Sequence, residues 1–481
     1  MTVLSRSVGL RLVLPVVLGT LLNAVNSSMI AVALVDIQHE FHAGAEVVWL
    51  VSGLYLATAV AQPTMGRLAD RFGARRVFCW GLVIVMAAAI GAPFAPGLGW
   101  LVAARVLLGI GTSAAYPSGI SLIRQGIGGE ATGALGAISA AGQVAVALGP
   151  PLGGVLVLLA GWRSIFWVNL PIAALSLVLV LLWVPRDRAR KSTSVGLDPL
   201  GILLFAAAMV GLLVFLLEFR WPFLVAAVGL AAVLLWWELR VSRPFIDVRM
   251  LSANRPLSRT YARVAVTYVV FYTIFYGVPQ WLEQGRLLSS AEAGLVVLPI
   301  AGMGIIATVV ATRRPRLPLL VIGSAGLLVG SLALLLIGGS TSVVLLVLVS
   351  AVLGIPNGFN SLGNQTAMYA AAPTDQVGTA SGLYRTSQYI GANLAAALVG
   401  LGLGDHATDS GLHLLAVVIS VISAGLLAAA LLRRRFLRPR NEPTRLCAAV
   451  RLGAITGRAV RRPGPGRRIH GRDGRGRRGR R

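Results

Sequence analysis

"GRLADRFGARRV", residues 66–77, packs four arginines and an aspartate between two stretches without charge, 47–65 and 77–95. Each stretch is of spanning length, since about 20 apolar residues cross a hydrocarbon core. The short basic segment is therefore expected to be a loop held on one side of a bilayer. The rest of the chain tests that reading. Its 481 residues are 56% hydrophobic and 12% charged, whereas a soluble domain is about a quarter charged.

Fourteen apolar runs reach spanning length, at roughly 12–35, 47–65, 77–95, 98–122, 131–160, 164–184, 199–217, 222–239, 260–282, 292–312, 317–338, 342–363, 377–403 and 412–432. Alternate loops then differ sharply in charge. With an internal N-terminus, the internal connections carry 19 Lys+Arg and the external ones 3. That asymmetry obeys the positive-inside rule and places both termini inside. The expected class is an all-α polytopic membrane protein with fourteen spans in a plasma membrane. Arg6 and Arg11 before an apolar core also suit a signal peptide, but the first run is too long for one.

Two polar breaks, residues 185–198 and 240–259, divide the runs as six, two and six. The expected organisation is a six-helix bundle (1–184), linkers with two additional helices (185–259), a second bundle (260–432) and a tail (433–481). The connection between the second and third runs of the second bundle, "TRRPRLP" at 312–318, is short and basic like residues 66–77. Paired bundles of this kind carry a transporter's substrate site between them at mid-membrane. The tail holds 18 Arg against Glu442 and Asp473. It cannot bury a core and is expected to be disordered, solvated and drawn to anionic lipid head groups rather than to nucleic acid.

Several function classes are excluded or disfavoured. The one lysine, Lys191, lies in no phosphate-binding loop, which argues against an ATP-driven pump. Five scattered histidines and two distant cysteines, Cys79 and Cys447, offer neither metal spacing nor a disulfide framework. No cofactor, metal or enzymatic centre is expected.

"GRLADRFGARRV" resembles the signature loop of the major facilitator superfamily. In that family the loop latches one conformation of the alternating-access cycle, a role the resemblance carries to Gly66, Asp70, Arg71 and Gly73. Physically, the glycines permit a tight turn, and Asp70 suits the positive end of the helix that follows. "LVAARVLLGIGTSAAYP" (101–117) resembles the family's fourth-helix motif, whose arginine is assigned to proton coupling. Arg105 is then a coupling candidate, with an arginine snorkelling to the interface as the alternative. "GQVAVALGPPLGG" (142–154) resembles the fifth-helix antiporter motif, through Gly142, Gly149, Pro150, Gly153 and Gly154. The segments 161–171, 242–256, 278–299 and 372–394 resemble the fourteen-helix drug:proton antiporter branch.

Polar residues at helical spacing supply the candidate cavity. Asn23 and Asn26 share a face in the first run; Asn357, Asn360, Ser361 and Asn364, with Gln365, form a stripe in the twelfth; Arg385, Gln388 and Tyr389 share a face in the thirteenth. Such stripes cannot face lipid, so they line a cavity or bond between helices. Tyr272 and Tyr276 belong to an aromatic stripe that fits either role. No acid lies at mid-membrane. The resemblance places a proton-carrying Asp where this chain has Asn26, and an amide cannot exchange a proton at working pH. Coupling would then fall to Asp36, Asp70 or the substrate itself. The implied protein is a monomeric, proton-driven exporter of neutral or anionic amphipathic drugs; a uniporter or importer of a neutral or anionic metabolite is the alternative.

Overall fold

The computed structural model describes residues 3–43, 45–127, 131–187, 198–218, 220–242, 244–314, 317–404 and 407–437. The expected disordered tail therefore lies outside the described residues, apart from its first turns. Those residues form α-helices joined by turns and three short 3-10 segments.

The first half holds α1 (Val3–Glu40), α2 (Trp49–Phe72), α3 (Ala74–Gly91), α4 (Leu98–Ser113), α5 (Ala115–Ile127), α6 (Thr132–Ala160), α7 (Ser164–Trp167) and α8 (Asn169–Trp183). The hairpin α9 (Pro199–Glu218) and α10 (Trp221–Glu238) follows. The second half holds α11 (Val248–Ala253), α12 (Arg255–Gln284), α13 (Ser290–Arg313), α14 (Leu319–Ala333), α15 (Val343–Ala371), α16 (Val377–Leu403) and α17 (Asp409–Leu437). Among the described residues, ten helical segments are long and apolar enough to cross a membrane. The set omits α2, α6, α9 and α16. Polar groups lower the mean of α2, with Gln62, Arg67, Asp70 and Arg71, and of α16, with Arg385.

The described residues up to Leu431 form one compact unit. Within this unit the buried apolar side chains fall into separate clusters. One joins the first half to α12 residues Leu257–Val264 and to the ends of α13, α15 and α16 at the Arg-rich side. A second lies within α12–α17 toward the opposite side, around Trp281, Leu282 and Leu415. A small third, Phe205, Leu234 and Phe245, holds the α9–α10 hairpin, with Val60 of α2 against it. Among the described residues, the core shared by the halves is fullest near their Arg-rich ends.

Close helix contact follows from small residues, because apolar burial offers little drive between helices in lipid. In the antiporter-type motif the glycines differ in role. A side chain at Gly149 would run into Ser28 of α1, and one at Gly153 would meet the Met29 backbone at 3.2 Å. Gly142 and Gly154 have open space, and the Pro150 ring lies outside the described side chains. We expect Gly149→Val to force α1 and α6 apart, at about 1–3 kcal/mol, and to lower the melting temperature in detergent. Gly154→Val should leave it unchanged; equal losses in the two variants would refute this assignment.

At the opposite end α1 is fastened to the start of α7. The Glu40 carboxylate accepts from the Trp162 indole at 2.6 Å and is bridged by the Arg163 guanidinium. Those bonds, Arg163 first and Trp162 second, hold the carboxyl below its ordinary value of 4.5. A depressed folded-state value adds stability above the unfolded value and loses it as pH falls through the folded one. Native protein should therefore lose an increment of stability on acidification below about pH 4.5, and Glu40→Gln should lack that increment. A melting-temperature profile identical in both would contradict the clasp.

Candidate functional site: the junction of the two halves

The quoted loop folds as the last turns of α2, Gly73 and the start of α3. Gly73 has φ +103°, where a side chain would be strained and would also strike the Asp187 carboxyl. Asp187 then takes the N–H groups of Arg75 at 3.1 Å and Arg76 at 3.0 Å. It is Asp187, and not Asp70 as expected from sequence, that neutralises the positive end of α3.

Asp70 instead reaches the other half. It is 4% exposed. Oδ1 accepts from the Gly378 N–H at 2.9 Å, and Oδ2 accepts from the Thr379 N–H and hydroxyl, both at 2.8 Å. These are first-turn donors of α16, whose own N-cap residue, Gln376, supplies no side-chain bond. A carboxylate there satisfies orphan N–H groups and faces the positive helix end. The contact needs α2 and α16 to touch. A side chain at Gly66 would collide with the Gly378 carbonyl, and one at Gly382 would lie 2.5 Å from the Gln62 carbonyl. Gly66 and Asp70 are thus brought to the junction, whereas Gly73 shapes the α2–α3 turn against Asp187. Arg71 is not brought there either: it is exposed and rests over the Phe72 ring at 5.0 Å. Arg67 bonds the Pro244 carbonyl in its place.

More bonds cross between the halves toward the middle. The Thr386 hydroxyl donates to the Ala59 carbonyl at 3.0 Å. Gln143 donates to Thr308 at 2.7 Å and accepts from Asn357 at 3.3 Å. Ser139 meets Gln365 at 3.1 Å and Ser361 at 3.4 Å. Gln365 donates to the Tyr116 hydroxyl at 2.7 Å. The Arg385 guanidinium lies 4.2 Å over the Tyr116 ring and donates to Gln388 at 3.1 Å. Tyr389 donates to Asn23 at 2.9 Å, and Asn23 donates to Thr112 at 3.1 Å.

The expected single polar stripe on α15 is in fact two. Asn357, Ser361 and Gln365, spaced four apart, face the first half. Asn360 faces Gly323 of α14, and Asn364 accepts from Arg263 at 2.6 Å, both inside the second half. A 3.6-residue period separates the two rows, and one row cannot serve both sides. Asn26 is likewise turned away from the junction. It exchanges amide bonds with Asn169 of α8 at 2.5 and 3.1 Å, inside the first half. A buried amide needs such partners, and the α1–α8 contact supplies them.

Arg105 is 1% exposed, so it does not snorkel. It donates to the carbonyls of Leu50 at 2.8 Å and Asn26 at 3.1 Å. Asp36, exposed at the far end of α1, has no contact with it among the described residues. The aromatic stripe of α12 stacks on itself, with Tyr272 and Tyr276 at 5.1 Å between ring centres. Tyr55 and Tyr389 pair across the halves at 6.1 Å. Sequence reasoning missed Asn169, Asp187 and Thr379 as partners, because nothing local marks which distant helix meets each loop.

Comparison with known proteins follows from this geometry. The family model described as Major Facilitator Superfamily matches residues 16–396. An uncharacterized MFS-type transporter of Bacillus subtilis, YwoD, is 37% identical over 87% of this chain and 95% of its own length. The lincomycin resistance protein of Streptomyces lincolnensis is 30% identical over 91% of this chain and 94% of its own. The crystal structure of the human organic anion transporter MFSD10 aligns with a TM-score of 0.65 at 18% identity, over 87% of this chain and 99% of its own.

The Asp70 contact gives the junction a direct test. Asp70→Asn turns one acceptor into a donor aimed at a backbone N–H, at about 1–3 kcal/mol, or roughly 5- to 150-fold in the open-to-closed equilibrium. In a Cys79→Ser, Cys447→Ser background, Thr386→Cys should be labelled faster by a water-soluble maleimide from the Arg-rich side once Asp70→Asn is added. Unchanged labelling would show that the cap does not hold the halves together.

Proposed function

The chain belongs to the major facilitator superfamily, and from that premise we propose that this membrane transporter is an exporter of amphipathic drugs or antibiotics. It works by alternating access, with fourteen spans, both termini cytoplasmic and a plasma-membrane location. The 19-to-3 distribution of Lys+Arg supports that orientation. The Arg-rich side is then the cytoplasmic one. The shared core and the Asp70 cap close that side, while the second half's own core lies apart at the other. Relatives that include drug and antibiotic resistance proteins support export.

The substrate is neutral or anionic. The observation that carries this is Arg385, which meets a tyrosine ring and a neutral glutamine at the junction and, among the described residues, no carboxylate. A fixed positive charge in a low-dielectric cleft repels cations and holds anions. Gln388 and Tyr389 add uncharged groups on the same helix, Tyr389 bonds Asn23, and Tyr272 and Tyr276 offer ring faces on α12.

Export is driven by the proton gradient. The Asn26–Asn169 pair favours a second reading, uniport, because neither amide carries a proton. Proteoliposomes with an imposed pH gradient separate the two: accumulation against a substrate gradient means coupling, and simple equilibration means uniport. In a susceptibility panel on cells with and without the gene, we expect protection against neutral and anionic amphipaths, lost by tenfold or more in Arg385→Ala. Protection confined to quaternary ammonium compounds would overturn the substrate class.

A further inference from the structure

We propose that Asp198 and Glu238, at the Arg-rich end of the α9–α10 hairpin, form a binding site for one exchangeable proton. This site lies outside the junction and does not depend on which substrate is carried.

The two acids are held very differently. Asp198 is 5% exposed and caps α9, accepting from the Gly201 N–H at 2.9 Å. It also accepts from the Trp237 indole N–H, at 3.1 and 3.0 Å to its two oxygens. Glu238 is 1% exposed. Its Oε1 accepts from the Ile246 N–H at 3.0 Å, and the Phe245 N–H also leans on the carboxyl. Its Oε2 is buried without a hydrogen-bond partner. The two carboxyls share one small space: a side-chain carbon on Gly201 would sit 2.5 Å from Asp198 Oδ2 and 2.9 Å from Glu238 Oε1.

Two ionised carboxylates in one water-poor space repel each other, and an ionised oxygen buried without a donor is costly. A proton on Glu238 removes both penalties. Among the described residues, Asp198 and, from α2, Arg67 are the charged groups that act on Glu238. Arg67 is itself shared among Glu238, Asp198, Asp247 and Asp70, and its guanidinium donates to the Pro244 carbonyl. One shared arginine does not neutralise two acids. On release, the O–H bond at Glu238 breaks and the proton passes to water on the Arg-rich side, leaving the electron pair on the carboxylate. The charge so created lies beside Arg67, three residues before Asp70 on the same helix.

Trp237 is a built-in reporter, since its indole touches Asp198. The full chain in lipid nanodiscs would be titrated from alkaline to mildly acidic pH, reading the fluorescence lost in a Trp237→Phe control. The native protein should show one transition with the slope of a single proton. Glu238→Gln should abolish it. Asp198→Asn, in which an amide oxygen still caps α9, should move the midpoint to lower pH by relieving like-charge repulsion. Arg67→Gln should move it to higher pH. Should Glu238→Gln fail to fold, the opposite shifts of the other two variants decide. A flat native titration, a transition that survives Glu238→Gln, or midpoints unmoved in Asp198→Asn and Arg67→Gln would each overturn the site.

Discussion

The bond between Asp70 and the first turn of α16 is the constraint on which the rest of the junction depends. It is a charge-assisted contact, which is stronger than a neutral hydrogen bond, and it is formed where the core of the first half continues into the second. Thr386–Ala59 and Tyr389–Asn23 lie further along the same α16, so their geometry is set by the cap and the glycine contact that admit it. Without Gly66 and Gly378, the Asp70 carboxylate could not reach the Thr379 N–H. A reversible helix cap is also well suited to a moving part. Its energy is a few kcal/mol, and water satisfies the same donors wherever a helix start is exposed.

The halves repeat a second device. In the first, a side chain on Gly109 of α4 would lie 2.7 Å from the Leu54 carbonyl of α2. In the second, one on Gly354 of α15 would collide with the Ile300 carbonyl of α13, and one on Gly358 would lie 2.7 Å from the Thr308 backbone nitrogen. Each time a glycine of the half's fourth long helix meets the backbone of its second. In each half, an equivalent helix pair is thus packed backbone to backbone.

How much was legible in the sequence depended on range. The charge pattern and the helical class were visible, because both are properties of contiguous residues. Gly66 and Gly73 stood out because a turn and a close approach leave a local mark. The destination of Asp70 did not, since the adjacent helix start looked like its natural partner and Asp187, over a hundred residues away, takes that place. Periodicity likewise showed that α15 is polar. It could not show that Asn360 and Asn364 turn inward while Asn357 and Ser361 turn to the other half, because rows three and four residues apart look like one stripe on paper. Asn26 failed for the same reason: its partner Asn169 lies in another helix.

The acids on the Arg-rich face show a common use. Asp70 caps α16, Asp187 caps α3, Asp198 caps α9 and Asp247 caps α11 by accepting from the Met250 N–H at 2.8 Å. Each aspartate accepts from the N–H groups of a helix start, and this use runs through all four. It sets Glu238 apart. Its longer side chain ends a helix instead of starting one, where the helix end is negative and offers a carboxylate no support. A carboxyl so placed persists at a cost, and among the described acids of this face it alone combines deep burial with an oxygen that nothing caps.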